Sequence, residues 1–193
     1  MTYLAILTAL IMVLHFTGIG IKLPFLGTPI SLTLIPIALG GMLLGPSSGF
    51  FLGFVYGLVV YISYGVMGMD PMFTAILFAN NPIMTFLICV IKTSVAGFLA
   101  GLLYNKLKSK NSILAAFIAA AITPIANTGL FILGCFLIYD TIAANFVAAG
   151  ESVIFFIVII LPGINFIFEF IVNMIFSPAI HRIVEIVSKR LAK

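Results

Sequence analysis

Long apolar stretches separated by short polar or turn-forming breaks run the length of this chain, with no sustained two-residue alternation. Runs of 18 or more apolar residues are long enough, at 1.5 Å per helical residue, to cross a ~30 Å hydrocarbon layer. The breaks divide the sequence into six predicted helices. The first spans about Thr2 to Gly20, and a short loop, Ile21 to Pro29, follows it. The second spans about Ile30 to Leu44 and stops at the breaker pair Gly45-Pro46. The third, Ser47 to about Gly65, leads into a loop holding Gly68, Asp70 and Pro71. Asn81 is placed to cap the fourth helix, with Pro82 at its first position, where a missing N–H costs nothing. That helix continues to about Tyr104, and the basic stretch Asn105 to Asn111 follows. The fifth spans Ser112 to about Tyr139 with a kink expected at Pro124, and Asp140 to Glu151 reads as a loop. Ser152 to about Ser188 is too long for one straight crossing, so a break is expected at Pro162-Gly163, with the sixth helix running from about Ile164. The alternative boundary, Pro178, would leave an interfacial amphipathic tail.

Composition changes this picture from apolar helices to a membrane protein. Of 193 residues, 63% are hydrophobic and 7% charged, against about 25% charged in a soluble domain. So few charges cannot cover a water-exposed globule. The expectation is one all-α integral membrane domain, residues 1–193, built as a six-transmembrane-helix bundle. The apolar N-terminal stretch has no basic flank and more spans follow it, so it reads as a retained first helix rather than a leader. Cys89 and Cys135 both fall inside apolar spans and read as buried thiols rather than a disulfide.

Charge sets the orientation. Lys106, Lys108 and Lys110 lie between the fourth and fifth helices, and Arg182, Lys189, Arg190 and Lys193 lie near the C-terminus. With six spans these share one side, opposite Lys22, Asp70, Asp140 and Glu151. The positive-inside rule then puts both termini in the cytoplasm. The net charge of +4 follows from topology and carries no implication of nucleic-acid binding.

Few side chains are left to carry chemistry. Lys92 and Glu169 are the strongly ionisable groups deep inside predicted spans. A charge at a helix centre costs about 2.5–3.5 kcal/mol on insertion scales, so such residues turn inward. They either pair with each other or meet a ligand, and the two roles can coexist. Asn165, Glu169 and Asn173, at i, i+4 and i+8, line one face of the sixth helix. Facing lipid they would be costly, so they point to neighbouring helices or to a ligand. Asn127 and Thr128 follow Pro124 by one turn and serve either the freed carbonyls of the kink or a ligand. Asn80, Asn81 and Tyr61 are weaker candidates, and His15 reads as an interfacial residue near a helix end. Gly49, Gly53 and Gly57 form a smooth ridge for close helix packing, and Ala5 and Ala9 put small side chains on one face of the first helix. The chain has no phosphate-cradling, zinc-protease or nucleophile-elbow motif, and its two histidines fall near opposite membrane faces, so neither an enzyme nor a metal site is expected.

In order and spacing these features resemble the S components of energy-coupling factor (ECF) transporters over nearly the whole chain. The resemblance rests on the small size, the six spans, Leu44-Gly45-Pro46 followed by Gly49, Gly53 and Gly57, and the Ala5-x-x-x-Ala9 pair. The stretches Ile125-Ala126-Asn127-Thr128-Gly129 and Asn165-Phe166-Ile167-Phe168-Glu169 are similar to the pantothenate- and folate-type subgroup. The resemblance implies a vitamin-binding subunit in the cytoplasmic membrane of a prokaryote, with its cavity under the loop Ile21 to Pro29 acting as a lid. It implies docking through Ala5 and Ala9 on a coupling membrane subunit that carries two ATPases, followed by toppling in the bilayer. ATP is then used by the partners, and this chain itself needs no cofactor. Lys92 stands where related members often carry arginine, a point charge in place of a bidentate fork. The competing reading is a stand-alone oligomeric secondary transporter or channel, which would need an inverted repeat or a polar path across the membrane.

Overall fold

The computed structural model describes residues 2–17 and 32–191, and among these all regular structure is helical. The expected lid, Ile21 to Pro29, lies outside the described residues, as do Lys22, Lys193 and the end of the first span. Helix α1 is Thr2–Phe16, and α2 is Leu34–Leu44. Gly45, at φ +98°, makes the single-residue joint to α3 (Pro46–Val60). Only glycine holds that backbone without strain, and Pro46 starts the next helix at the position where its ring is tolerated. The last turns of this third helix widen into a π-helical segment, Tyr61–Val66.

Three elements differ from the sequence expectation. Thr74–Asn80 forms a short helix, α4, ahead of α5 (Pro82–Leu107). The stretch expected as the loop Asp140 to Glu151 is largely a second short helix, α7 (Tyr139–Phe146), following α6 (Ser112–Leu137). It is amphipathic, with Ile142 buried while Asp140 and Asn145 are exposed. Two turns were too short for a periodic signal to register. One α-helical turn, α8 (Val153–Phe155), then runs into a second π-helical segment, Phe156–Ile160. The chain turns at Leu161 and Pro162, and α9 runs from Gly163 to Leu191, continuing past Pro178 without a break.

Four stretches are long and apolar enough to cross a membrane: Pro46–Val66, Pro82–Leu107, Ser112–Leu137 and Val153–Arg190. Helices α1 and α2 are apolar and shorter within the described residues. The outside of the bundle is apolar, with Ile83 and Leu137 each 74% exposed. That surface suits lipid, which solvates hydrocarbon and cannot satisfy polar groups.

Glycine sets how closely the helices meet. A Cβ built on Gly49, Gly53 or Gly57 of α3 would collide with the α5 backbone at Gly97, Thr93 or Cys89. Gly41 of α2 and Gly101 of α5 exclude each other in the same way. At this contact the Thr93 hydroxyl donates to the Gly53 carbonyl at 2.7 Å. The backbone contact fixes the rotation of α5, and so decides which of its side chains turn toward the other helices. Small residues fill the basic end of the bundle, where Ala115, Ala116, Ala119 and Ala120 pack on Ala38, Ala100, Ile180 and Val184. At the other end Phe73, Leu77, Ile138, Ile142 and Ile157 form a separate apolar cluster. Buried Cys89 and Cys135 are both free thiols.

Candidate functional site

A cavity opens between these packed layers, at the end of the bundle where α3 and α6 finish and α5 and α9 begin. Its polar lining comes chiefly from three helices, with Thr74 of α4 added to them. Helix α5 supplies Thr85, Lys92 and Thr93; α6 supplies Asn127 and Thr128; α9 supplies Asn165 and Glu169. Its apolar and aromatic walls include Tyr56 and Tyr64 from the third helix, Phe131 from α6 and Phe166 from α9. Phe73 and Leu77, at the start of α4 and within it, complete the lining. The Phe73 ring lies 4.9 Å from Phe146 of α7 and 5.9 Å from Phe131, so the two short helices meet over the cavity wall.

Five of the residues singled out from the sequence, Lys92, Asn127, Thr128, Asn165 and Glu169, therefore face one space. Lys92 is half-buried, its Nζ 4.6 Å from the centroid of the Phe131 ring. The ring face draws the ammonium group and holds it within the cavity. The side chain of Asn127 is buried, and its Oδ1 accepts no hydrogen bond from the described residues. An unsatisfied buried carbonyl costs about 1–3 kcal/mol, so a donor arriving in the cavity gains more there than in water. The Thr123 hydroxyl, one turn earlier beside Pro124, is spent on the Ala119 carbonyl at 2.8 Å.

The other candidates lie elsewhere. Asn173 is buried one turn beyond Glu169, where its Nδ2 donates to the Glu169 carbonyl at 2.8 Å, and it does not line the cavity. Asn81 precedes α5 as expected, but its side chain caps nothing; its Nδ2 donates to the Thr141 hydroxyl at 2.6 Å and ties α5 to α7. Tyr61 packs edge-on against Phe78 and Phe86, away from the lining. Ala5 and Ala9 are both exposed on α1.

Two residues differ from expectation in their surroundings. Asp70 lies in the expected loop but is buried, and its Oδ2 accepts from the backbone N–H of Thr74 at 3.0 Å and from the Thr74 hydroxyl at 2.6 Å. It anchors the first turn of α4, and the spacing Asp70 to Thr74 at a helix start was the available signal. His15, expected at the interface, is buried on the inner face of α1. The aromatic walls carried no signal, because 19 Phe and 6 Tyr residues are spread through helices that face lipid as often as the interior.

No group of three or more His, Cys, Asp or Glu side chains suited to a metal ion occurs among the described residues. No curated protein matches the chain in sequence. A family model described as "ECF transporter, substrate-specific component" matches residues 1–181. Because that match takes in all the helices that build the cavity, the chain belongs to the ECF transporter substrate-specific components, multi-pass membrane subunits that bind substrate for a transporter and are not enzymes.

Proposed function

We propose that this subunit binds a vitamin or similar micronutrient with high affinity in the cavity between α3, α5, α6 and α9, and that it is of the pantothenate/folate type. The observation that carries this reading is the convergence of Lys92, Asn127, Asn165 and Glu169, from three helices, on one partly apolar space. Each polar group speaks to a part of the cargo. The Lys92 ammonium suits an anionic group such as a carboxylate. Glu169 and the asparagine carbonyls suit N–H or O–H donors. Tyr56, Tyr64, Phe131 and Phe166 would cover the apolar body of the molecule. Nanomolar binding requires about 12 kcal/mol, which a walled cavity with several polar anchors can supply.

In this reading α1, α2, α3, α5, α6 and α9 each cross the cytoplasmic membrane of a prokaryote, with both termini on the inner side. The basic residues Lys106, Lys108, Lys110, Arg182, Lys189 and Arg190 support that orientation by the positive-inside rule. The exposed Ala5/Ala9 face of α1 docks on a coupling membrane subunit, and two ATPases attached to that subunit hydrolyse the ATP. Asn173, Asn81 and Tyr61 support the site from outside its lining, and Gly49, Gly53 and Gly57 hold its frame.

The test is to purify the protein in mild detergent, denature it and identify released small molecules by mass spectrometry. A near-stoichiometric vitamin establishes the reading and names the cargo. No released compound, followed by no thermal stabilisation from a vitamin panel, would favour the stand-alone oligomeric transporter.

A further inference from the structure

We propose that the hydrogen bond between His15 and Ser63 is the link through which a filled cavity acts on α1, with His15 a positioning residue rather than a substrate contact. The inference rests on the cavity being the substrate site, as proposed above.

The inner face of α1 buries Leu7, Ile11 and His15 at successive i, i+4 positions, and His15 is its one polar member. A buried imidazole among apolar side chains is unfavourable unless hydrogen-bonded. Its Nε2 lies 2.7 Å from the Ser63 hydroxyl oxygen. That hydroxyl has one proton, and it donates to the Val59 carbonyl at 2.7 Å. If both contacts are hydrogen bonds, that single proton makes Ser63 the acceptor and His15 the donor from Nε2. The pairing is directional and joins two helices that are 48 residues apart in sequence.

What stands next to this bond gives it a consequence. Ser63 lies in the π-helical segment Tyr61–Val66, and such irregular turns recur at sites that move or bind. Its neighbour Tyr64 lines the cavity, and so does Tyr56 one helical stretch earlier. The His15 ring packs on both, 4.9 Å from the Tyr64 ring and 5.9 Å from the Tyr56 ring. A molecule that moves either tyrosine toward α1 presses on the His15 ring. His15 ends the buried stripe of the helix whose opposite side exposes Ala5 and Ala9. The same helix thus touches the cavity wall at one end and offers the proposed docking face along its other side. A chain of packed groups of this kind can couple two sites when its members have two arrangements.

The experiment places a nitroxide label on Ala9→Cys, the native Cys89 and Cys135 both being buried. Full-length protein in lipid nanodiscs is titrated with pantothenate, folate, riboflavin, thiamine and pyridoxine, and binding and label mobility are read on the same samples. A vitamin that binds is expected to change mobility at position 9. His15→Phe, which keeps an aromatic ring and removes the donor, and Ser63→Ala are each expected to abolish most of that change, as loss of a coupling link requires. Affinity stays within about threefold of the parent in both, well under the tenfold that 1.4 kcal/mol would bring. His15→Gln, which restores an N–H donor, is expected to recover much of the response. A full response in both variants overturns the link, and so does tight binding to the parent protein with no change at position 9. Loss of binding in both variants overturns it as well, because His15 and Ser63 would then be holding the cavity together. If no vitamin binds the parent protein, the functional reading falls and takes the link with it.

Discussion

Lys92 reaches from α5 toward α6 so that its Nζ stands 4.6 Å from the centre of the Phe131 ring, inside the cavity. Its charge is held there by a π face, an attraction of about 0.5–2 kcal/mol that leaves the ammonium free to recognise an anion. Lys92→Met keeps the length of the side chain and removes the charge. Affinity for the cargo identified by mass spectrometry should fall about 10- to 100-fold, matching the 1.5–3 kcal/mol of a charged hydrogen bond. Thermal stability without ligand should hold or rise, since a charge leaves an apolar bundle. Equilibrium binding beside thermal melts checks both, and an unchanged affinity would make Lys92 a structural residue.

Gly97 and Gly49 meet backbone to backbone, so a Cβ on either falls on the carbonyl of the other. Gly97→Val should destabilise the bundle by about 1–3 kcal/mol or more, because the obstacle is main chain that cannot rotate away. Gly129, on α6, has no atom within 4 Å of an added Cβ. Gly129→Ala should therefore leave the melting temperature unchanged or raise it, since alanine favours helix by about 1 kcal/mol. Equal melting temperatures for the two variants would refute the tight α3–α5 contact.

The Asp70 carboxylate accepts two hydrogen bonds from Thr74 at the start of α4. Asp70→Ala should loosen that helix by about 0.5–2 kcal/mol, the range for losing an N-terminal cap. Amide exchange over 74–80 should quicken, and because Phe73, Thr74 and Leu77 line the cavity, affinity should weaken too. Unaltered exchange would show that packing alone holds α4.

Ser177 is fully buried on α9, and its hydroxyl oxygen has no hydrogen-bond partner among the described residues. Removing such a group is neutral or stabilising, because no pairing is lost with it. Ser177→Ala should keep or raise the melting temperature, and a marked drop would reveal a water or side chain that satisfies the hydroxyl.

The Ala5/Ala9 face supports a test of docking. Both residues are exposed, so Ala9→Trp can be accommodated without repacking the interior. It should leave vitamin binding by the isolated subunit intact and abolish ATP-driven uptake in cells. Undiminished uptake would remove α1 from the docking role.

Much of the fold could be read in the sequence because its signals are local. Gly45-Pro46 breaks α2 from α3 through backbone geometry alone, and Pro162-Gly163 marks the turn before α9 for the same reason. The inward position of Lys92, Asn127, Asn165 and Glu169 was also legible, since a polar group in an apolar helix has nowhere else to go. Their neighbours were harder. His15 looked interfacial because its distance from a helix end is visible in sequence, whereas its partner Ser63 lies 48 residues away. Asn81 occupies a capping position, yet its side chain is claimed by Thr141 across the fold.

By itself the sequence determined that this is a helical protein made for lipid, where its breaks fall, and which few polar side chains must turn away from the membrane. Those properties follow from solvation and local backbone chemistry, residue by residue. Only the tertiary structure decided that Lys92, Asn127, Asn165 and Glu169 share one cavity while Asn173, Asn81 and Tyr61 do not. That choice depends on the rotation of each helix about its axis, which is set by contacts such as Gly49 on Gly97 between segments far apart in the chain.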